Sequence, residues 1–204
     1  GLRILPQGDR IVAYFSDGVA VLQPTGRTVP AFVRGYVSKT RGLLGKGSVI
    51  DIGGGVHFGI FTDGFWFFTE SGEWKEAGVE QAQGTQVYKW TDYFFNTLER
   101  TQADRITMGF DQERSLIYIS FPNAGSGTPL STWVYELGPD RMWIQNARVG
   151  AEYQPGYAWG WLRSTEGPTS VKMALTHASG NGCVWEHVPN LYQRDGNDVA
   201  WSFT

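Results

Sequence analysis

The sequence predicts an all-β chain of short antiparallel strands, and three observations carry that expectation. Apolar residues alternate with polar or small ones in short runs closed by turn residues. Glycine is frequent (27) and aromatics reach 15%, while charged residues are only 18%. Helical periodicity is almost absent. Alternating runs between turn formers are the signature of half-buried strands, and the composition is too apolar for disorder and too glycine-punctuated for a helical protein.

The first hairpin is IVAYF (11–15) and VAVL (19–22) around Ser16-Asp17-Gly18, and the second is HFGIF (57–61) and FWFF (65–68) around Thr62-Asp63-Gly64. Asp-Gly supplies the positive φ that a tight two-residue turn needs. A third joins ITMGF (106–110) to SLIYISF (115–121) through the turn led by Asp111. A fourth joins STWVYEL (131–137) to MWIQN (142–146) through Gly138-Pro139, where proline pre-sets φ. The fifth joins VKMALTH (171–177) to CVWEHV (183–188). One short helix is expected in TDYFFNTLER, capped by Thr91 or Asp92.

The turns recur. Asp17 and Asp63 are 63 − 17 = 46 residues apart and Asp111 follows at 111 − 63 = 48, a spacing that fits one four-stranded blade of a radial repeat. The expected architecture is therefore β-propeller-like, with antiparallel blades of short strands in a partial or interrupted propeller, and residues 1–204 forming one domain. The chain opens on Gly1 and stops in AWSFT, so a segment of a longer chain is expected.

The run FTDGFWFF (61–68) tests this reading. Alternation puts Phe65 and Phe67 on one face of a strand, and Trp66 and Phe68 on the other. Bulk on both faces suits a strand between two packed layers. These rings read as packing between blades, with a sugar-stacking surface as the alternative. Trp133, Trp143, Trp159 and Trp161 exceed what one small core must bury and are expected at interfaces with other chains.

The net charge of -3 and pI ≈ 5.6 exclude a globally basic nucleic-acid binder. One concentrated positive stretch remains: VRGYVSKTRGLLGKG (33–47) carries Arg34, Lys39, Arg41 and Lys46 and no acid. It reads as a loop crossing between blades, solvated or else touching DNA or a protein partner. The single cysteine, Cys183, excludes an intrachain disulfide. Cys183 with His177 and His187 falls short of a zinc ligand set, so no metal and no cofactor is expected. Gly53-Gly54-Gly55 lacks the Lys-Ser/Thr of a phosphate loop and reads as a bulge or close chain approach. Asp111 with Glu113, or Asp195 with Asp198, are ordinary turn acids, and without a nucleophile elbow no catalytic set is identified. No apolar run is long enough to cross a membrane as a helix, so no membrane partner is expected in this segment.

Three stretches carry a family resemblance: SKTRGLLGKGSVIDIGGGVHFGIFTDGFWFFTESGEW (38–74), YFFNTLERTQADRITMGFDQERSLIYISFP (93–122) and STWVYELGPDRMWIQ (131–145). In order, they resemble an arginine-containing loop and Asp-Gly hairpin ending at tryptophan, a link into an aspartate-led turn and aromatic strand, and an outer hairpin of the propeller domain of tail-hub, or nozzle, proteins of short-tailed bacteriophages. The resemblance implies a structural, non-enzymatic protein of the virion tail. It further implies a hexameric ring around the DNA exit channel, docked to the portal adaptor and to fibres or spikes, with non-specific contact to packaged DNA. The rival reading is a propeller-fold glycan-binding protein or glycoside hydrolase, with Trp66, Trp74, Trp159 or Trp161 stacking on sugars.

Overall fold

The computed structural model of the chain describes residues 3–77, 79–81, 87–112, 115–124, 130–137, 142–143, 158–163, 171–176, 184–186, 193–194 and 197–198. Over these the protein is all-β with little helix, and every strand pairing is antiparallel. The chain divides into two compact units, Gly1–Phe94 and Phe95–Thr204.

In the first unit, β1 (Arg3–Gln7), β2 (Arg10–Tyr14), β3 (Val19–Pro24) and β4 (Phe32–Ser38) form one sheet in chain order. A second sheet follows with β5 (Val49–Asp51), β6 (His57–Phe61), β7 (Gly64–Phe68) and β8 (Trp74–Ala77), and β1 lies against β5. A ribbon of β9 (Val79–Gln81) and β10 (Val87–Lys89) precedes helix α1 (Trp90–Thr97). The helix starts one residue before the expected caps, so Thr91 and Asp92 lie in its first turn, where the carboxylate of Asp92 complements the helix dipole.

In the second unit a 3-10 turn (Arg100–Arg105), capped by the Glu99 side chain, leads into β11 (Thr107–Asp111), β12 (Leu116–Pro122), β13 (Leu130–Glu136) and β14 (Met142–Trp143), again a meander in chain order. Next come β15 (Ala158–Arg163), β16 (Val171–Thr176) and β17 (Val184–Glu186), with β15 against β11, and the short pair β18 (Gln193–Arg194) and β19 (Asn197–Asp198).

All five expected hairpins form as antiparallel pairs, β2 with β3, β6 with β7, β11 with β12, β13 with β14 and β16 with β17. The recurrence of turns holds only in part. Asp17-Gly18 and Asp63-Gly64 both join the second to the third strand of a sheet, whereas the Asp111 turn joins a first strand to a second. The cause is the insertion of β9, β10 and the helices. The first strands of the first two sheets start 49 − 3 = 46 residues apart, those of the next two 107 − 49 = 58 apart.

The two glycines also serve different ends. Gly64 has φ +143 and closes the β6–β7 ladder opposite Phe61. Gly18 has no positive φ; a Cβ there would stand 2.6 Å from the Ser38 carbonyl oxygen, so it is the approach of another chain segment that excludes a side chain. Gly53, Gly54 and Gly55 form a hairpin loop between β5 and β6 with φ of +87, +60 and +71, rather than a bulge. The expected close approach is real at Gly55, where a Cβ would meet the Glu70 carboxylate.

The core follows from strands filled on both faces. Val12, Tyr14, Val19 and Val21 of the first sheet pack with Val49, Phe61 and Phe68 of the second, with Trp66 and Trp74 against them. On its other face the second sheet places Phe58 against Phe65 and Phe67, and Phe65 meets Phe94 of α1 edge to face at 5.0 Å. Strand β7 therefore carries its aromatics into two layers, as the alternation requires. Each fully buried ring here contributes about 2–3 kcal/mol of apolar transfer.

Candidate interaction surface

The cationic stretch 33–47 is not one loop. Its first part is strand β4, because Phe32, Val33, Tyr36 and Val37 are β-formers; the second part is the crossover to the next sheet. Two short hydrogen-bond sets anchor the crossover. Leu43 N–H donates to the Phe15 carbonyl (2.8 Å), while Thr62 N–H donates to the Gly42 carbonyl (2.9 Å) and Leu44 N–H to that of Ile60 (3.2 Å). Gly42 is thus held between the two Asp-Gly turns, and a Cβ there would stand 1.8 Å from the Ser16 carbonyl oxygen.

Arg41 leaves this crossover and is enclosed. Its guanidinium lies 3.6 Å from the centroid of Trp66 and 4.7 Å from that of Trp74, and its Nε donates to Asp63 at 2.8 Å. The two indoles meet edge to face. A planar cation suits such a slot because it stacks while its in-plane N–H groups reach a carboxylate. The Arg41 side chain is 19% exposed, so it fastens the second Asp-Gly turn to the crossover.

The other three cations face outward. Arg34 lies over the Tyr36 ring at 4.2 Å and the Phe15 ring at 5.6 Å and donates to the Tyr36 hydroxyl; Lys39 is 5.7 Å from the Tyr36 ring. Lys46 is exposed. In the same hairpin as Arg34, Val29 (84%), Phe32 (49%), Val33 (55%) and Tyr36 (55%) are also exposed. The sequence signal for this surface was the alternation Phe32-x-Arg34-x-Tyr36, which reading the stretch as a loop obscured.

A polar seam at the inner strands was missed altogether. His57 Nε2 donates to the Pro6 carbonyl (2.8 Å) and its Nδ1 accepts from the Tyr14 hydroxyl (2.7 Å). A carbonyl can only accept, so Nε2 carries the proton and the imidazole is neutral. Burial pushes the His57 pKa below its ordinary value against the opposing pull of the Pro6 hydrogen bond, and burial pushes the Tyr14 hydroxyl well up. Beside it, Gln7 donates to the carbonyls of Gly55 and Phe68 and accepts from Arg10. These contacts stitch β1 and β2 to the second sheet. A lone histidine and glutamine carry no sequence signal for such a role.

Trp133 is buried in its own sheet, edge to face with Phe121 at 5.2 Å, and belongs to the core, not to an outward surface. Within its own chain it is therefore not an exposed aromatic. Trp143 lies on β14, and Trp159 and Trp161 lie on β15. Asp111 is buried at the end of β11. Asp198 lies on β19, while Glu113, Asp195, His177, Cys183 and His187 fall outside the described residues. Among the described residues no three or more His, Cys, Asp or Glu side chains gather to hold a metal, and no helix is long and apolar enough to cross a membrane. No protein-family model matches this chain, and no curated protein matches it.

Proposed function

We propose that this chain is a β-propeller segment of a tail-hub, or nozzle, protein of a short-tailed bacteriophage, a structural part of the virion tail. In this reading it forms a closed, hexameric ring around the DNA exit channel, with the portal adaptor above it and fibres or spikes beside it. The observation that carries the propeller half is the repeated meander in chain order, with the first strand of one sheet against the first strand of the next: β1 on β5 in the first unit and β11 on β15 in the second. Radial repetition gathers innermost strands in this way. The tail half rests on the sequence resemblance at 38–74, 93–122 and 131–145. Arg34, Lys39 and Lys46 are then the outward cations available to DNA or a neighbouring protein, and Arg41 is an internal fastening.

The rival, a glycan-binding or glycan-cleaving propeller, is weakened by one geometric fact. Arg41 covers both Trp66 and Trp74, so those faces are taken and do not offer a stacking platform. Electron cryomicroscopy of native particles containing the chain is the deciding experiment. A ring coaxial with the DNA channel supports the proposal. Density for the chain away from the tail, or turnover of a glycan by the purified protein, overturns it.

A further inference from the structure

We propose that the β3–β4 hairpin is a docking edge for an extended acidic strand of a different protein, which would add beside β4 as a fifth strand of the first sheet. The inference goes beyond the tail reading and does not depend on it. Among the described residues the large apolar side chains left exposed are Ile4, Val29, Phe32, Val33 and Tyr36, and four of these five fall in the single span 29–36. Scattered exposed apolar residues are ordinary; a cluster of them is the mark of an interaction surface.

The backbone supplies the second observation. The sheet order ends at β4, whose outer edge has no neighbouring strand among the described residues. Exposed edges are ordinarily guarded by short strands, bulges, prolines or charged side chains, and the one charge on β4 is Arg34. Here β4 is bulged at Val37, between Tyr36 opposite Ala20 and Ser38 opposite Val19, but from Phe32 to Tyr36 the pairing with β3 is unbroken and the strand holds no proline. In mid-strand stands Gly35, where an added Cβ would meet nothing within 4 Å. A glycine in open space on an edge strand leaves room for another backbone to come close.

Charge selects the occupant. From Gly18 to Ile50 there is no acidic residue, while Arg27, Arg34, Lys39, Arg41 and Lys46 all lie there. The chain has 17 basic and 20 acidic residues, so everything outside this span carries 12 − 20 = −8. Arg41 is paired with Asp63, which leaves Arg34 and Lys39 facing outward at the strand. Along one face of β4 the order is Phe32, Arg34, Tyr36, so a matching strand places an acid opposite Arg34 and apolar groups opposite the rings. Strand addition draws affinity from the backbone ladder and specificity from alternate side chains. A nucleic acid is the weaker fit: Phe32 and Tyr36 are exposed aromatics, but Arg34 already lies over the Tyr36 ring, aliphatic Val29 and Val33 offer no stacking face, and an open backbone edge matches a strand.

The test uses the full 204-residue chain and fluorescent peptides of about ten residues, the length of a long strand. One peptide alternates glutamate with valine; a control has the same composition with the glutamates and valines in two blocks. Anisotropy should show the alternating peptide binding at least about tenfold more tightly than the block peptide. Arg34→Glu should weaken it by about tenfold or more, whereas Lys46→Glu, an equal charge change away from the strand, should leave it within about twofold. Val33→Asp gives a second variant at an exposed site, and hydrogen exchange should show new protection of the β4 amides. Absence of binding overturns the proposal. So do equal binding of the two peptides, equal losses in Arg34→Glu and Lys46→Glu, tighter binding of a single-stranded oligodeoxynucleotide, or self-association that Val33→Asp abolishes.

Discussion

The Tyr14 hydroxyl lies 2.7 Å from Nδ1 of His57, and the opposite ring nitrogen is 2.8 Å from the Pro6 carbonyl, so one neutral imidazole bridges β2 and β1 to β6. Both ring nitrogens are satisfied only in the neutral tautomer that donates from Nε2. An added proton at Nδ1 would remove the acceptor for Tyr14 and place a charge in a buried seam.

The first prediction follows from that proton. Burial lowers the His57 pKa in the folded chain, with Arg10 adding to the effect and Asp51 and the Pro6 hydrogen bond opposing it, while the unfolded value is 6.5. Between the two values the unfolded chain binds more protons, so stability rises with pH there. The contribution is fully present above about pH 6.5 and is lost as pH falls toward the folded value. Urea midpoints measured across that range should drop with acid, and His57→Gln should flatten the slope. An unchanged slope in the variant would mean that this imidazole does not carry the dependence.

A second prediction separates two glycines. Gly42→Ala forces a Cβ into the Ser16 carbonyl, backbone against backbone, and should cost about 1–3 kcal/mol. Gly35→Ala meets open space at ordinary φ on an exposed strand and should change stability by less than about 0.5 kcal/mol. Denaturant melts of the two variants, side by side, decide it.

How much of this was legible in the sequence depends on which physical signal each part uses. The inner hairpins were readable because β6 and β12 bury both faces and so write apolar runs closed by turn residues. Edge strands were not. Strand β4 is exposed along most of its length, so its composition resembles a loop, and it became a strand through pairing with β3. The Asp111 turn misled for a related reason, since an insertion preserved the spacing and changed the place in the sheet. At the candidate surface the cations were visible and their fates were not. Whether an arginine stacks on Trp66 or faces water is set by residues distant in sequence.

A third prediction contrasts tryptophan in the core with tyrosine at the edge. Trp133 is buried against Phe121, and Trp133→Ala should cost about 3–5 kcal/mol. Tyr36 is 55% exposed with Arg34 over its ring, and Tyr36→Ala should cost less than about 1 kcal/mol. A small loss at Trp133 would return that residue to the surface and reopen its reading as an interface aromatic.

The last prediction concerns the four cations Arg34, Lys39, Arg41 and Lys46, which the sequence presents as one patch. If they acted interchangeably, replacing any one would do the same thing. Their surroundings argue otherwise. Arg41 stacks on two indoles and pairs with Asp63, and much of its side chain is out of water, so Arg41→Ala should cost about 1–2 kcal/mol. Lysine should not rescue it fully, because an ammonium lacks the planar face that fits between rings. Asp63→Asn should cost less, about 0–1 kcal/mol, since that carboxylate is 45% exposed and solvent screens the pair. Lys39→Glu and Lys46→Glu sit on exposed positions and should leave the urea midpoint within about 0.5 kcal/mol of the parent. Salt divides the set again: raising it should weaken any association made through Arg34 and Lys39 while leaving the Arg41 stacking nearly intact, because screening acts on exposed charges more than on enclosed ones. Equal destabilisation by Arg41→Ala and Lys46→Ala would show that the slot between Trp66 and Trp74 adds nothing, and that the stretch is a solvated run of charge.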